Sequence, residues 1–308
     1  MDSSIAQAPV PGAADLAGLE PIERIRNRWP MFLGGALTLL MIVALGHELF
    51  NAGLAGLSRT IPSNPLFYLA FASYYLAPPT FDYLIFRRLW GIPLAGMAAL
   101  HKKRIANEVL LGYSGEAYFY AWARQRTQMV AAPFGAVKDV MIQSAIAGNT
   151  FTLALILLVA PFAATIHQEE VNPTTIAISA AVMIAMCVPF LLFSRRVFSL
   201  SKTQLWWVYG MHMTRLSVVT LSVAFAWHFA IPGVSMGTWI FLAAVRMLTS
   251  RLPFVPNKEL MFASIAIVLI GSGEAVTELL ALVAGLTLLA HIVLIAGFSL
   301  HGLWRRLA

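Results

Sequence analysis

Apolar runs of bilayer length, separated by short polar clusters, set the pattern of this chain. About 20 apolar residues in a helix cross the hydrocarbon core of a membrane, and residues 31–50 form the first such run. Residues 66–86 form the second, interrupted by Pro78-Pro79, with Asp82 one turn on and Arg87-Arg88 at its end. A proline pair removes two backbone donors and crowds the preceding turn, so a kinked or broken helix is expected there. Residues 94–130 are too polar for a simple span. They carry Lys102-Lys103-Arg104, the moderately polar stretch 107–113, and the aromatic stretch 118–122. An interfacial amphipathic helix or a re-entrant pair fits them.

Further spans are expected at about 140–164, at 174–193 ending on Arg195-Arg196, and from near Leu205 or Leu216 to Ile231. Trp206-Trp207 and Trp227 would be interfacial belt residues at the two ends of that fifth span. Residues 239–249 and 260–270 are short runs either side of a polar turn, 250–259, and suggest a helical hairpin dipping into the membrane. A last span covers 275–298, ahead of Arg305-Arg306. The fold class expected is all-α: a polytopic transmembrane bundle with interrupted or re-entrant segments and two weakly similar halves. Residues 1–29 read as a disordered cytoplasmic tail and 30–308 as one transmembrane domain. The tail does not resemble a cleaved signal peptide.

Charge fixes an expected orientation. With the N-terminus in the cytoplasm, Arg24, Arg26, Arg28, Arg87, Arg88, Lys102, Lys103, Arg104, Arg124, Arg126, Lys138, Arg195, Arg196, Lys202, Arg305 and Arg306 fall inside. Only Arg59 falls in an outside loop, and Arg215, Arg246, Arg251 and Lys258 lie in or beside membrane segments. The positive-inside rule then places both termini in the cytoplasm of an inner membrane. Composition agrees: the 308 residues are 59% hydrophobic and 11% charged, against roughly 25% charged in soluble domains. The net charge of +7 is explained by these flanking clusters and by anionic lipid, not by nucleic acid. One cysteine, Cys187, excludes an intramolecular disulfide. Scattered histidines give no metal signature, and no phosphate-binding loop or dinucleotide fingerprint is present, so no cofactor is expected.

Two polar segments carry the candidate chemistry. The first is 107–116, with Asn107, Gly115 and Glu116, followed by Arg124. Its glycines allow close backbone approach, and Glu116 opens a helix where a carboxylate suits the dipole. It reads either as a re-entrant loop facing a headgroup cavity or as a helix cap that only fixes the loop. The second comprises Arg246, Arg251, Pro253, Pro256, Lys258 and Glu259. Its cations could hold a lipid phosphate or snorkel at a cytoplasmic turn. Asp82 reads as a gate or proton-linked carboxylate, or, preferred here, as a local ion pair with Arg87-Arg88. Arg215 and His212 share a helical face if the fifth span starts early and are interfacial if it starts at Leu216, the preferred start. Lys138-Asp139 marks the entry to the third span.

The pattern resembles the membrane domain of lysylphosphatidylglycerol synthases (the multiple peptide resistance factors) and related stand-alone flippase-like proteins. The likeness rests on Asn107 with Gly115-Glu116, then Arg124 and Arg126, and on Leu252-Pro253-Phe254-Val255-Pro256. Leu111 stands where that family has proline, and Asn257-Lys258-Glu259 replaces its glycines. The resemblance implies a lipid-translocating domain without the aminoacyl-transfer domain. The expectation is a flippase-like transporter of an anionic phospholipid or isoprenoid-phosphate-linked lipid, with Arg246, Arg251 and Lys258 on phosphate and Asn107 and Glu116 shaping the cavity. Its partners would be membrane lipids, with a homo-oligomer or an envelope-biosynthesis partner also open. The alternatives are an intramembrane lipid-modifying enzyme using Asp82, Glu116 or Glu259, and an accessory subunit for envelope glycan or lipid synthesis.

Overall fold

The computed structural model describes residues 61–110, 114–126, 134–163, 198–251 and 273–307, with isolated positions 36, 39, 43, 181, 262, 265–267 and 270. The described residues are helical, with no strand among them. Seven helices are defined among the described residues: α1 (Pro65–Trp90), α2 (Gly96–Val109), α3 (Ser114–Arg126), α4 (Phe134–Ala163), α5 (Lys202–Ala230), α6 (Met236–Arg251) and α7 (Gly273–Leu307). The N-terminal tail, the expected first and fourth spans apart from those isolated positions, and residues 252–259 of the expected 250–259 turn lie outside the described residues.

Local signals set the helix ends. Asn64 caps α1 by accepting from the Leu66 amide at 3.0 Å, and Pro65 follows it. Proline suits this first position because it has no amide to leave unpaired. The helix ends at Gly91, whose φ of 63° is the left-handed conformation that glycine adopts without cost. Between these ends α1 is one continuous helix through the Pro78-Pro79 pair, so of the kink or break expected there the break does not occur. A proline at position 79 leaves the carbonyl four residues back, on Tyr75, without its helical donor. The Arg104 guanidinium of α2 donates to that carbonyl instead.

The fifth span starts at Lys202, close to the earlier of its two expected starts, Leu205, and ahead of the preferred Leu216, because Ser201 and Gln204 form a capping box. The Gln204 amide donates to Ser201 Oγ at 3.3 Å, and the Ser201 amide donates to Gln204 Oε1 at 3.0 Å. Asp139 of α4, fully buried, holds the approach to this cap by accepting from the Ser199 and Leu200 amides at 2.6 and 2.7 Å.

Packing of α1 on α5 is the most extensive helix contact, and the pair is antiparallel. Ser73 meets Ser222 (Oγ–Oγ 2.9 Å), Asp82 meets Arg215, and Arg88 lies over the Trp207 ring, so the partners run in opposite order. One apolar core joins the start of α1 and the end of α5 to α6 and α7, around Phe67, Trp227, Trp239, Phe262 and Leu279. Trp227 is 1% exposed and stacks near Trp239 and Phe262, so it is a core residue and not the belt residue expected. Trp206, 73% exposed, keeps the surface position. A second core joins the end of α1 to α2, α3, α4 and the start of α5.

α2 and α3 form a tight helical hairpin. A Cβ at Gly115 would lie 2.0 Å from the Lys103 carbonyl oxygen, so only glycine admits this approach. One helix among the described residues is long and apolar enough to cross a membrane: Ala275–Leu300 within α7, of mean hydropathy 2.6 and with a third of its most apolar stretch buried.

Candidate functional site

The hairpin places a charged array against α1 and α5. Lys103, Arg104, Asn107 and Glu108 lie on one face of α2, since residues four apart stack on a helix. Across from them α1 contributes Asp82, α3 contributes Glu116, and α5 contributes His212 and Arg215. Lys103 Nζ sits 2.6 Å from Asp82 Oδ2 and 3.4 Å from Glu116 Oε1. Arg215 binds Asp82 Oδ1 at 3.2 Å and donates to Ser144 Oγ of α4 at 2.9 Å. Arg104 pairs with Glu108 at 2.7 Å and lies over the Tyr75 ring. His291 of α7 closes on Glu108 at 3.2 Å.

These residues surround a cavity of about 250 Å³, floored by Pro78 and Pro79 and walled by Phe86, Leu100, Phe119, Val137, Val140 and Met141. Three cations face three carboxylates there, and the array is shielded: the side chains of Asp82, Lys103, Glu116 and Arg215 are 9–15% exposed. Two acceptors on the cavity wall lack a hydrogen-bond partner. They are Glu116 Oε2 and His212 Nδ1, the latter left as an acceptor when Nε2 donates to the Val140 carbonyl at 3.2 Å.

Of the residues expected to form a site, Asn107, Gly115 and Glu116 come together. Asn107 Oδ1 accepts from the Gly115 amide at 2.7 Å and Ser114 Oγ donates to the Ala106 carbonyl at 2.8 Å. The Asn107 link satisfies an exposed donor at the start of α3, the cap reading of this segment, while Glu116 turns into the cavity. Arg124 instead donates to Tyr120 on its own helix at 3.0 Å, and Arg246 lies half-buried in α6; neither is in the cavity wall. Arg251 ends α6, and its side chain, with Pro253, Pro256, Lys258 and Glu259, lies outside the described residues.

Asp82 does not pair with Arg87-Arg88. Residues five and six apart on a helix point to different faces; Arg87 donates to Tyr83 at 3.2 Å and Arg88 covers Trp207. With the early start of α5, His212 and Arg215 share the face that lines the cavity, His212 fully buried and Arg215 largely so. The array members missed from the sequence were Lys103, Arg104, Glu108 and Ser144. Lys103 and Arg104 were legible only as a flanking basic cluster. Isolated charges within apolar runs, Asp82 and Arg215, were the usable signal. No protein-family model, no curated protein and no solved structure matches this chain.

Proposed function

We propose that the chain is a polytopic inner-membrane protein that handles lipid, with the cavity between α1, α2, α3 and α5 receiving the phosphate-bearing head of an anionic lipid in a flippase-like transport cycle. The observation that carries this reading is the array of Lys103, Arg104 and Arg215 against Asp82, Glu116 and Glu108, shielded from solvent except at Glu108 on its rim. Buried ion pairs are often no more stabilising than apolar residues of the same volume, so such an array is retained for what it does. Arg and Lys together suit a phosphodiester, the first as a bidentate donor and the second as a point charge.

The polytopic reading is supported by length. Helices α1, α4 and α5 have 26, 30 and 29 residues, about 40 Å each at 1.5 Å per residue, which exceeds a hydrocarbon core of about 30 Å. They leave large apolar side chains outside, among them Leu69, Leu84, Leu157, Leu158 and Phe225. The resemblance to the membrane domain of lysylphosphatidylglycerol synthases points the same way. Reconstituted protein should move fluorescent phosphatidylglycerol between leaflets, and Arg215→Gln should slow it by at least tenfold, the loss of about 1.4 kcal/mol of charged hydrogen bonding. Vesicles in which wild-type protein moves neither phosphatidylglycerol nor an isoprenoid phosphate refute the transport reading.

One observation favours a second reading, an intramembrane enzyme acting on a lipid phosphate. The unpartnered Glu116 Oε2 and His212 Nδ1 are acceptors facing the cavity, and a general base needs such an acceptor within hydrogen-bond reach of the proton it takes. Turnover of a lipid phosphate by purified protein, abolished in Glu116→Gln, would establish it over transport.

A further inference from the structure

The charge count of the cavity limits what can enter it alone. Lys103, Arg104 and Arg215 are matched one for one by Asp82, Glu108 and Glu116. A phosphodiester brings one more negative charge into a shielded space where unbalanced charge is costly. Neutrality returns if one carboxylate takes up a proton.

The three carboxylates are not held alike. Asp82 lies between Lys103 at 2.6 Å and Arg215 at 3.2 Å. Glu108 has Arg104 at 2.7 Å and His291 at 3.2 Å. Glu116 has, among the described residues, Lys103 alone, at 3.4 Å, and Lys103 is already engaged by Asp82. Its second oxygen, Oε2, is buried without a hydrogen-bond partner. The titratable or charged groups around Glu116 in the cavity wall are Lys103, Arg104 and Glu108 from α2, Asp82 from α1, and His212 and Arg215 from α5; α4 supplies only Ser144 and apolar side chains.

We infer that Glu116 is the proton-binding group of this cavity, taking up one proton as a singly charged phosphodiester enters and returning it on release. This rests on the anion-binding reading given above. The step balances: the Glu116 carboxylate becomes a carboxylic acid, the proton comes from water, and the cavity holds three cations, two carboxylates and one phosphodiester. The new O–H is a donor where Oε2 had no partner, and Lys103 is released from Glu116 while keeping Asp82. Transport of the anion would then draw on a proton gradient, with no nucleotide site needed.

The test is titration calorimetry of the full chain in phosphatidylcholine nanodiscs with glycerophosphoglycerol, a soluble phosphodiester, in buffer pairs of differing ionisation heat. Wild-type protein should take up about one proton per ligand, and affinity should rise as the pH is lowered. Glu116→Gln should bind with no proton uptake and no pH dependence, and Glu116→Asp should restore both. Binding by wild-type protein without proton uptake overturns the inference and leaves the anion site standing. Uptake that persists in Glu116→Gln overturns the assignment to Glu116. No binding at any pH overturns the anion site and the inference together. The wild-type proton count needs no variant, so it decides the matter even if Glu116→Gln fails to fold.

Discussion

Replacing Asp82 by asparagine isolates the charge that ties α1 to α2 and α5. The side chain keeps its shape and one acceptor oxygen, but Lys103 and Arg215 lose the carboxylate that lies 2.6 and 3.2 Å from them. Lys103 retains only Glu116 at 3.4 Å, and Arg215 retains Ser144 at 2.9 Å. Removing one member of a buried pair costs about 3–5 kcal/mol, because a charge is left uncompensated. Since asparagine still accepts a hydrogen bond, the lower end applies, about 3 kcal/mol, or a melting point lower by roughly 5 °C in a chain of this size. Intrinsic tryptophan fluorescence during heating in detergent measures it. Adding Lys103→Met should recover part of the loss, with a coupling of about 0.5–3 kcal/mol in the double-mutant cycle. Arg87→Gln and Arg88→Gln, both at exposed positions, should change stability by no more than about 0.5 kcal/mol. An unchanged melting point for Asp82→Asn, or strict additivity with Lys103→Met, refutes the reasoning.

Gly115→Ala should destabilise by about 1–3 kcal/mol or more, because its Cβ would meet the Lys103 carbonyl, which is backbone and cannot swing away. Gly210→Ala, mid-helix with nothing within 4 Å of the added Cβ, should instead stabilise by about 0.5–1 kcal/mol; melting points that shift in the same direction contradict both. Asp139→Ala strips the Ser199 and Leu200 amides of their acceptor, so their hydrogen exchange should quicken by roughly 100-fold, equivalent to about 3 kcal/mol. Exchange at wild-type rates refutes the anchoring role. Trp227→Ala should cost about 3–5 kcal/mol as a core truncation, whereas Trp206→Ala, on the surface, should cost no more than about 0.5 kcal/mol; equal effects on the melting point restore the belt reading of Trp227.

The helix ends of this fold were written locally. Asn64-Pro65 starts α1, Gly91 stops it, and the Ser201 and Gln204 pair marks the start of α5. The α2–α3 hairpin was legible as the segment too polar to span, with Gly115 as its crossing point. What hydropathy could not supply was the identity of the cavity wall. Asp82, His212 and Arg215 lower the apolar score of the very helices that carry them, so the start of the fifth span stayed open between Leu205 and Leu216. In α1 the proline pair pointed to a break. Proline removes an intrahelical donor, but a helix survives if something else satisfies the freed carbonyl. The partner of the Tyr75 carbonyl, Arg104, lies 29 positions along the chain.

The pairing of charges failed for a related reason. A buried charge read from sequence alone is assigned to the nearest opposite charge, and for Asp82 that was Arg87-Arg88. Helical geometry already argued against this, since side chains meet at spacings of three and four, not five and six. Asp82 therefore needed a partner on another helix, and two supply it: Lys103 at a separation of 21 residues and Arg215 at 133. The same logic extends to Glu116, which has no cation three or four positions away on its own helix. Its neighbours had to come from elsewhere in the fold, and among the described residues only Lys103 pairs with it. That leaves Glu116 the carboxylate whose neutralisation disturbs the array least, which is why the chemistry of this cavity is expected to turn on it.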